Sequence, residues 1–127
     1  MAFFKRKKEP KTEATVVVER DIEKLLKAIE LASEDLKKVE GDKRIEILNK
    51  LGALSFDANL IDQSIDYYET SISENRSLGK AYTDLIKLYN IKRKEAVDEK
   101  DNAKIQFYLG KTDQLMQLTK DTIRGRF

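Results

Sequence analysis

From residue 18 onward, apolar residues return every three or four positions, the period of one helix face. The first stripe is Val18, Ile22, Leu25, Ile29, Ala32, Leu36 and Val39, in strictly alternating steps of four and three. It predicts a helix that starts near Thr12 or Thr15, either able to cap it, and that ends before Gly41. The run Val16-Val17-Val18 favours extended backbone and blurs that start. Gly41-Asp42 reads as a stop followed by a start: glycine for the left-handed end of one helix, aspartate to cap the next.

Four more helices follow from the same periodicity. Helix two runs from about Lys43 to Asp57 with Ile45, Leu48, Leu51 and Leu54 inward, and ends at a turn around Ala58 and Asn59. Helix three runs from about Leu60 to Glu74 on Ile61, Ile65, Tyr68 and Ile72. Asn75-Arg76-Ser77 is a turn, with Ser77 as a cap. Helix four covers about Leu78 to Ala96 with Ala81, Tyr82, Leu85, Leu88 and Tyr89 inward. After a charged turn, helix five runs from Asp101 or Asn102 to about Ile123 on Ile105, Tyr108, Leu109, Leu115, Met116 and Leu118. Short connections force antiparallel neighbours. The expected fold is therefore all-α, about five antiparallel helices, as an open hairpin stack or as a closed helical bundle. Residues 1–13 lack the period and form a basic tail; residues 14–127 form a single helical domain.

A finer pattern overlies the helices. Helix two carries Leu51-Gly52 and then Phe56; helix three carries Ser64, Tyr68 and Ser71, small, aromatic and small at steps of four and three. Two helices approach closely only where one lacks bulk, and Gly52, Ser64 and Ser71 lack it while Tyr68 fills the space between turns. This wording, with Ile65-Asp66-Tyr67-Tyr68-Glu69, resembles the tetratricopeptide repeat. Tyr82 and Leu85 fall 34 residues after Leu48 and Leu51, the period of that family. Ala103, Phe107 and Gly110 again read small, aromatic, small, 39 residues after Ser64, Tyr68 and Ser71. Ile86 stands where the family has glycine, and Arg76 where it usually has proline. The resemblance covers about residues 43–118. Lys27-Ala28-Ile29-Glu30-Leu31 in helix one is worded like the end of a decayed half-repeat.

The resemblance implies a peptide or partner-helix groove lined by the first helix of each unit. Position by position it would show Asn49, Ala53 and Phe56, then Lys80, Thr83, Lys87 and Asn90. Two lysines and two asparagines there suit an acidic or backbone-rich peptide. The carboxylate-binding subset of the family begins its ligand set with lysine where this chain has Asn49, so that specificity is not implied.

Composition narrows the chemistry. In 127 residues there is no Cys and no His, which removes disulfides, thiolates, the commonest general base and the commonest metal ligand. The five glycines are scattered and make no phosphate loop, so neither a cofactor nor catalysis is expected. Twenty-five basic and 23 acidic residues give a net charge of +2, too balanced to attract nucleic acid. No apolar run is long enough to span a bilayer, and the N-terminus lacks a signal-peptide core, so a cytoplasmic protein is expected. Phe3 and Phe4 followed by Lys5, Arg6, Lys7 and Lys8 pair aromatic anchors with basic charge; such a segment either contacts an anionic membrane surface or simply solubilises the chain. The strict heptad of helix one suits either an end cap or a homodimer seam. The expected activity is thus protein or peptide binding, with a structural or assembly subunit as the other reading.

Overall fold

The computed structural model describes residues 13–76 and 79–123, with side chains described from residue 21. Among them are five helices and no strand: α1 Glu13–Leu36, α2 Asp42–Asp57, α3 Ile61–Glu74, α4 Gly79–Asp98 and α5 Asn102–Ile123. The all-α expectation holds at the level of element number and order. Thr12 and Ser77, expected as caps, lie outside the described residues, as does the segment 1–12; Glu13, placed in the tail, is helical. The valine run is helical too, against its local preference for extended backbone.

The helices pack in series. Each contacts the next along the chain, and α4 also reaches back to α2; among the described residues α1 and α5 do not meet. The arrangement is an open stack, not a closed bundle. One core lies between α1 and α2, where Ile29 and Ala32 meet Leu51, with Leu36, Ile47 and Leu54 around them. The larger one joins α3, α4 and α5 through Tyr68, Ile72, Leu85, Leu88, Tyr89 and Leu115. At 24 residues α1 is about 36 Å long, against about 24 Å for α2. Its apolar stripe is buried at Ile29 and Ala32, while Ile22 is exposed and Leu25 half-buried.

The tightest contact is between α2 and α3. A Cβ built on Gly52 would lie 2.7 Å from the Tyr68 ring. The Ser64 hydroxyl donates to the Gly52 carbonyl at 2.7 Å, and the Ser71 hydroxyl to Asn49 Oδ1 at 2.6 Å. Tyr68 is fully buried and donates to Asp84 Oδ2 on α4 at 2.6 Å, so one side chain ties three helices together. Burial first, and Asp84 second, push its phenol well above the usual tyrosine range. Asp84 is itself buried and is neutralised by Lys80 at 3.0 Å.

The two interhelical turns α2–α3 and α4–α5 are closed identically. Leu60 N–H donates to Ser55 O and Asn59 N–H to Phe56 O; Asp101 N–H donates to Ala96 O and Lys100 N–H to Val97 O. Both are Schellman motifs with a left-handed residue after the helix, Asn59 at φ 60 and Lys100 at φ 57. Asp101 then caps α5, its Oδ1 accepting from Lys104 N–H. Asp42 does not cap α2 as expected. It is the first helical residue, and the cap position falls to Gly41 at φ 65, where no side-chain hydrogen bond forms. A positive φ there is what requires glycine.

Candidate binding furrow

α4 does not fill the space between α3 and α5. A cleft of about 480 Å³ runs between these two helices, floored by Leu85 and Tyr89 of α4 and by Ile72, Leu115 and Leu118. A second cleft of about 310 Å³, lined by Asp62, Ile65, Phe107 and Tyr108, shares Glu69 and Lys111 with the first. The two are halves of one furrow. On α3 it extends from Asp62 to Ser73, about 17 Å along the helix axis, with Arg76 beyond the helix end.

A polar crossing divides the halves. Tyr89 donates to Glu69 Oε2 at 2.5 Å, and Lys111 Nζ lies 3.0 Å from the same oxygen. Desolvation, then the Glu69 contact, pushes the Tyr89 phenol far above its ordinary value, so it stays a donor across the physiological range. Lys111 also sits 6.0 Å from the centroids of Tyr89 and Phe107, at the outer limit of cation–π attraction. Phe107 stacks edge-on against Tyr108 at 5.0 Å and is 57 % exposed. At the lower end Lys92 lies 3.1 Å from Asp62, which holds its ammonium above the usual lysine value against partial burial. On the far side of the stack Arg44 makes a bidentate pair with Glu74 at 2.8 and 3.0 Å, which draws that carboxyl below its normal range.

The structure corrects the expected packing of helix five. Ala103 and Phe107 are exposed, and nothing lies within 4 Å of a Cβ placed on Gly110. A helix turns about 100° per residue, so a register one residue off carries a stripe out of the contact. Tyr108 and Leu115 face inward instead. The unit-one set behaves differently: Leu51, Gly52, Ser64, Tyr68 and Ser71 are all buried.

Nor are the seven expected groove residues gathered into the furrow. The Asn49 side chain is engaged by Ser71, and Lys80 by Asp84. Thr83 donates to Gly79 O of its own helix, and Phe56 packs on the core. Ala53 is half-buried, while Lys87 and Asn90 are exposed. Phe3, Phe4, Lys5, Arg6, Lys7 and Lys8 lie outside the described residues. Sequence reasoning missed Glu69, Tyr89 and Lys111 as a group because they come from three helices. The available signal was Phe107, an aromatic residue off the inward stripe of helix five. Among the described residues no helix is long and apolar enough to cross a membrane, and no three carboxylates converge to hold a metal ion. In comparison with known proteins, no family model matches this chain, and no curated protein or solved structure matches it significantly.

Proposed function

We propose that this chain is a non-catalytic binding module of the tetratricopeptide type, which holds a helical or extended segment of a partner protein in the furrow between α3 and α5. The observation that carries the reading is the furrow itself: an apolar floor, a charged rim, and Phe107 left exposed at its edge. Aromatic residues in this position are the usual anchors of a protein interface. The repeat reading is supported by the Gly52–Tyr68 approach and by the identical closure of the two hairpins. A cytoplasmic setting, expected from the lack of a spanning apolar run and of a signal-peptide core, belongs to the same proposal.

Binding has a simple electrostatic course. The Glu69–Lys111 pair is about one-third exposed on each side, so opening it costs roughly 0–1 kcal/mol. Glu69 keeps the Tyr89 hydrogen bond when Lys111 leaves. Lys111 then meets an acidic side chain of the partner while apolar partner residues enter against Ile72, Leu115 and Leu118. A footprint this short suits a transient complex, on the order of micromolar.

The test is selection of helical peptides on the intact chain from a displayed library, followed by titration against variants. Phe107→Ala and Lys111→Glu should each weaken the selected peptides about tenfold or more, whereas Lys87→Glu and Asn90→Asp on the α2/α4 face should not. The reverse pattern moves the site to the α2/α4 face and overturns the furrow; failure to select any binder overturns the binding role.

A further inference from the structure

α5 carries a second apolar stripe that the furrow does not use. Ile105, Leu109, Thr112, Met116, Thr119 and Ile123 recur at steps of 4, 3, 4, 3 and 4, one continuous line along the helix. Leu109, Met116 and Ile123 are 42 %, 44 % and 78 % exposed. The two threonines donate their hydroxyls to the carbonyls of Tyr108 and Leu115 in their own helix, which satisfies the polar atoms locally. By helical geometry the line lies on the flank opposite Phe107, Gln114 and Leu118, and so away from the furrow.

The matched turns explain why this flank is apolar. Aligning Asn59 with Lys100, the left-handed residues of the two Schellman motifs, places Ile105, Leu109 and Thr112 at the positions of Ser64, Tyr68 and Ser71. On α3 that line grips α2 and, through Tyr68, α4. On α5 the corresponding line leaves Leu109, Met116 and Ile123 exposed, while Ile105, Thr112 and Thr119 are half-buried.

We propose that a second copy of this chain covers this face, through an antiparallel α5–α5′ contact with Met116 at the two-fold axis. The charges beside the stripe identify the occupant. Asp113 and Lys120 flank Met116 on one edge, three residues before it and four after, and neither makes an ion pair among the described residues. In an antiparallel pair centred on residue 116, Asp113 of each copy falls within one residue of Lys120 of the other, and Leu109 meets Ile123. An acid and a base placed about equally far on either side of a central apolar residue are complementary to their own two-fold image. A partner of unrelated sequence would not require that symmetry.

The intact chain is tested by sedimentation over a concentration series, with helical circular dichroism as the folding control. The parent should reach twice the 14.7 kDa chain mass. Met116→Glu should hold it at the monomer mass. Asp113→Lys alone and Lys120→Asp alone should each raise the dissociation constant about tenfold, and the Asp113→Lys/Lys120→Asp double variant should restore it. Because the chain has no cysteine, Met116→Cys should cross-link copy to copy with a short thiol linker, while Asn90→Cys should not. A parent that stays monomeric throughout overturns the proposal. So does a dimer that survives Met116→Glu, which would place the seam elsewhere, as on the heptad of α1, or a charge swap that fails to restore association. The furrow lies on the other flank of α5, so peptide binding by Met116→Glu separates failure of this contact from failure of the binding role.

Discussion

Gly52→Ala puts the packing argument at its most exposed point. The new methyl would sit 2.7 Å from two atoms of the Tyr68 ring and 2.8 Å from a third. An ordinary contact needs at least 3.4 Å, so ring and methyl must separate by about 0.7 Å. The ring cannot swing aside, since Tyr68 is fully buried and its hydroxyl is held by Asp84. α3 must therefore shift away from α2, at an overpacking cost of roughly 2 kcal/mol. The shift also strains the buried Ser64 bond to the Gly52 carbonyl, worth about 1 kcal/mol. Against these stands the helix preference of alanine over glycine, about 1 kcal/mol in the opposite direction. The net expectation is destabilisation by about 2 kcal/mol, measured by denaturant unfolding followed by circular dichroism. The decisive comparison is the Tyr68→Leu background, where the ring is gone. There Gly52→Ala should change sign and stabilise by up to about 1 kcal/mol. If alanine stabilises the parent, or destabilises both backgrounds equally, the Gly52–Tyr68 contact is not what fixes the α2–α3 distance.

Three further outcomes follow from the same geometry. Tyr68 and Tyr89 have phenols raised in the folded state, so folding holds their protons more tightly than the unfolded chain does; that contribution is intact below the ordinary value of 10.0 and is lost as pH rises above it. Stability should fall by about 1.4 kcal/mol per pH unit for each tyrosine above that point, and Tyr89→Phe should roughly halve the slope seen in alkaline unfolding curves. Phe107→Ala should change stability by less than about 0.5 kcal/mol, whereas Leu115→Ala should cost about 2–4 kcal/mol; equal losses in denaturant unfolding would contradict the register of α5. Lys100→Gly relieves a left-handed residue and should raise the melting temperature by a few degrees, about 0.5–1 kcal/mol, while Ala58→Gly, placed at an ordinary negative φ, should lower it.

Helix number, order and most boundaries were legible because 3.6-residue periodicity is a property of single segments. Ile65, Tyr68, Ile72, Leu85 and Leu88 could be assigned inward from spacing alone, and they are buried. The close α2–α3 approach was legible as well, since Gly52 and the Ser64-Tyr68-Ser71 pattern lie within one hairpin. Helix five shows where such reasoning stops. Two lines on it satisfy the same four-three spacing, one through Phe107 and one through Leu109, while Tyr108 on neither line packs inward. The choice depends on the turn before it, and Lys100 in a left-handed conformation gives no sequence signal of the kind glycine would. The furrow was illegible for a related reason: Glu69, Tyr89 and Lys111 are 20 and 22 positions apart, and nothing local connects them.

Packing in series has a consequence for how the molecule opens. Among the described residues α1 contacts chiefly α2, whereas α4 is held by α2, α3 and α5. In such a linear array each helix is stabilised only by its neighbours, so free energy is not shared evenly along the chain. The end helices can detach without disrupting the Tyr68 junction, and amide protons in α1 and α5 should exchange through these partial openings while those of α2 to α4 wait for global unfolding. A face on α5 that is covered by another molecule would then slow exchange in α5 before anywhere else, so occupancy at one edge is recorded as a change in the gradient of protection across the stack.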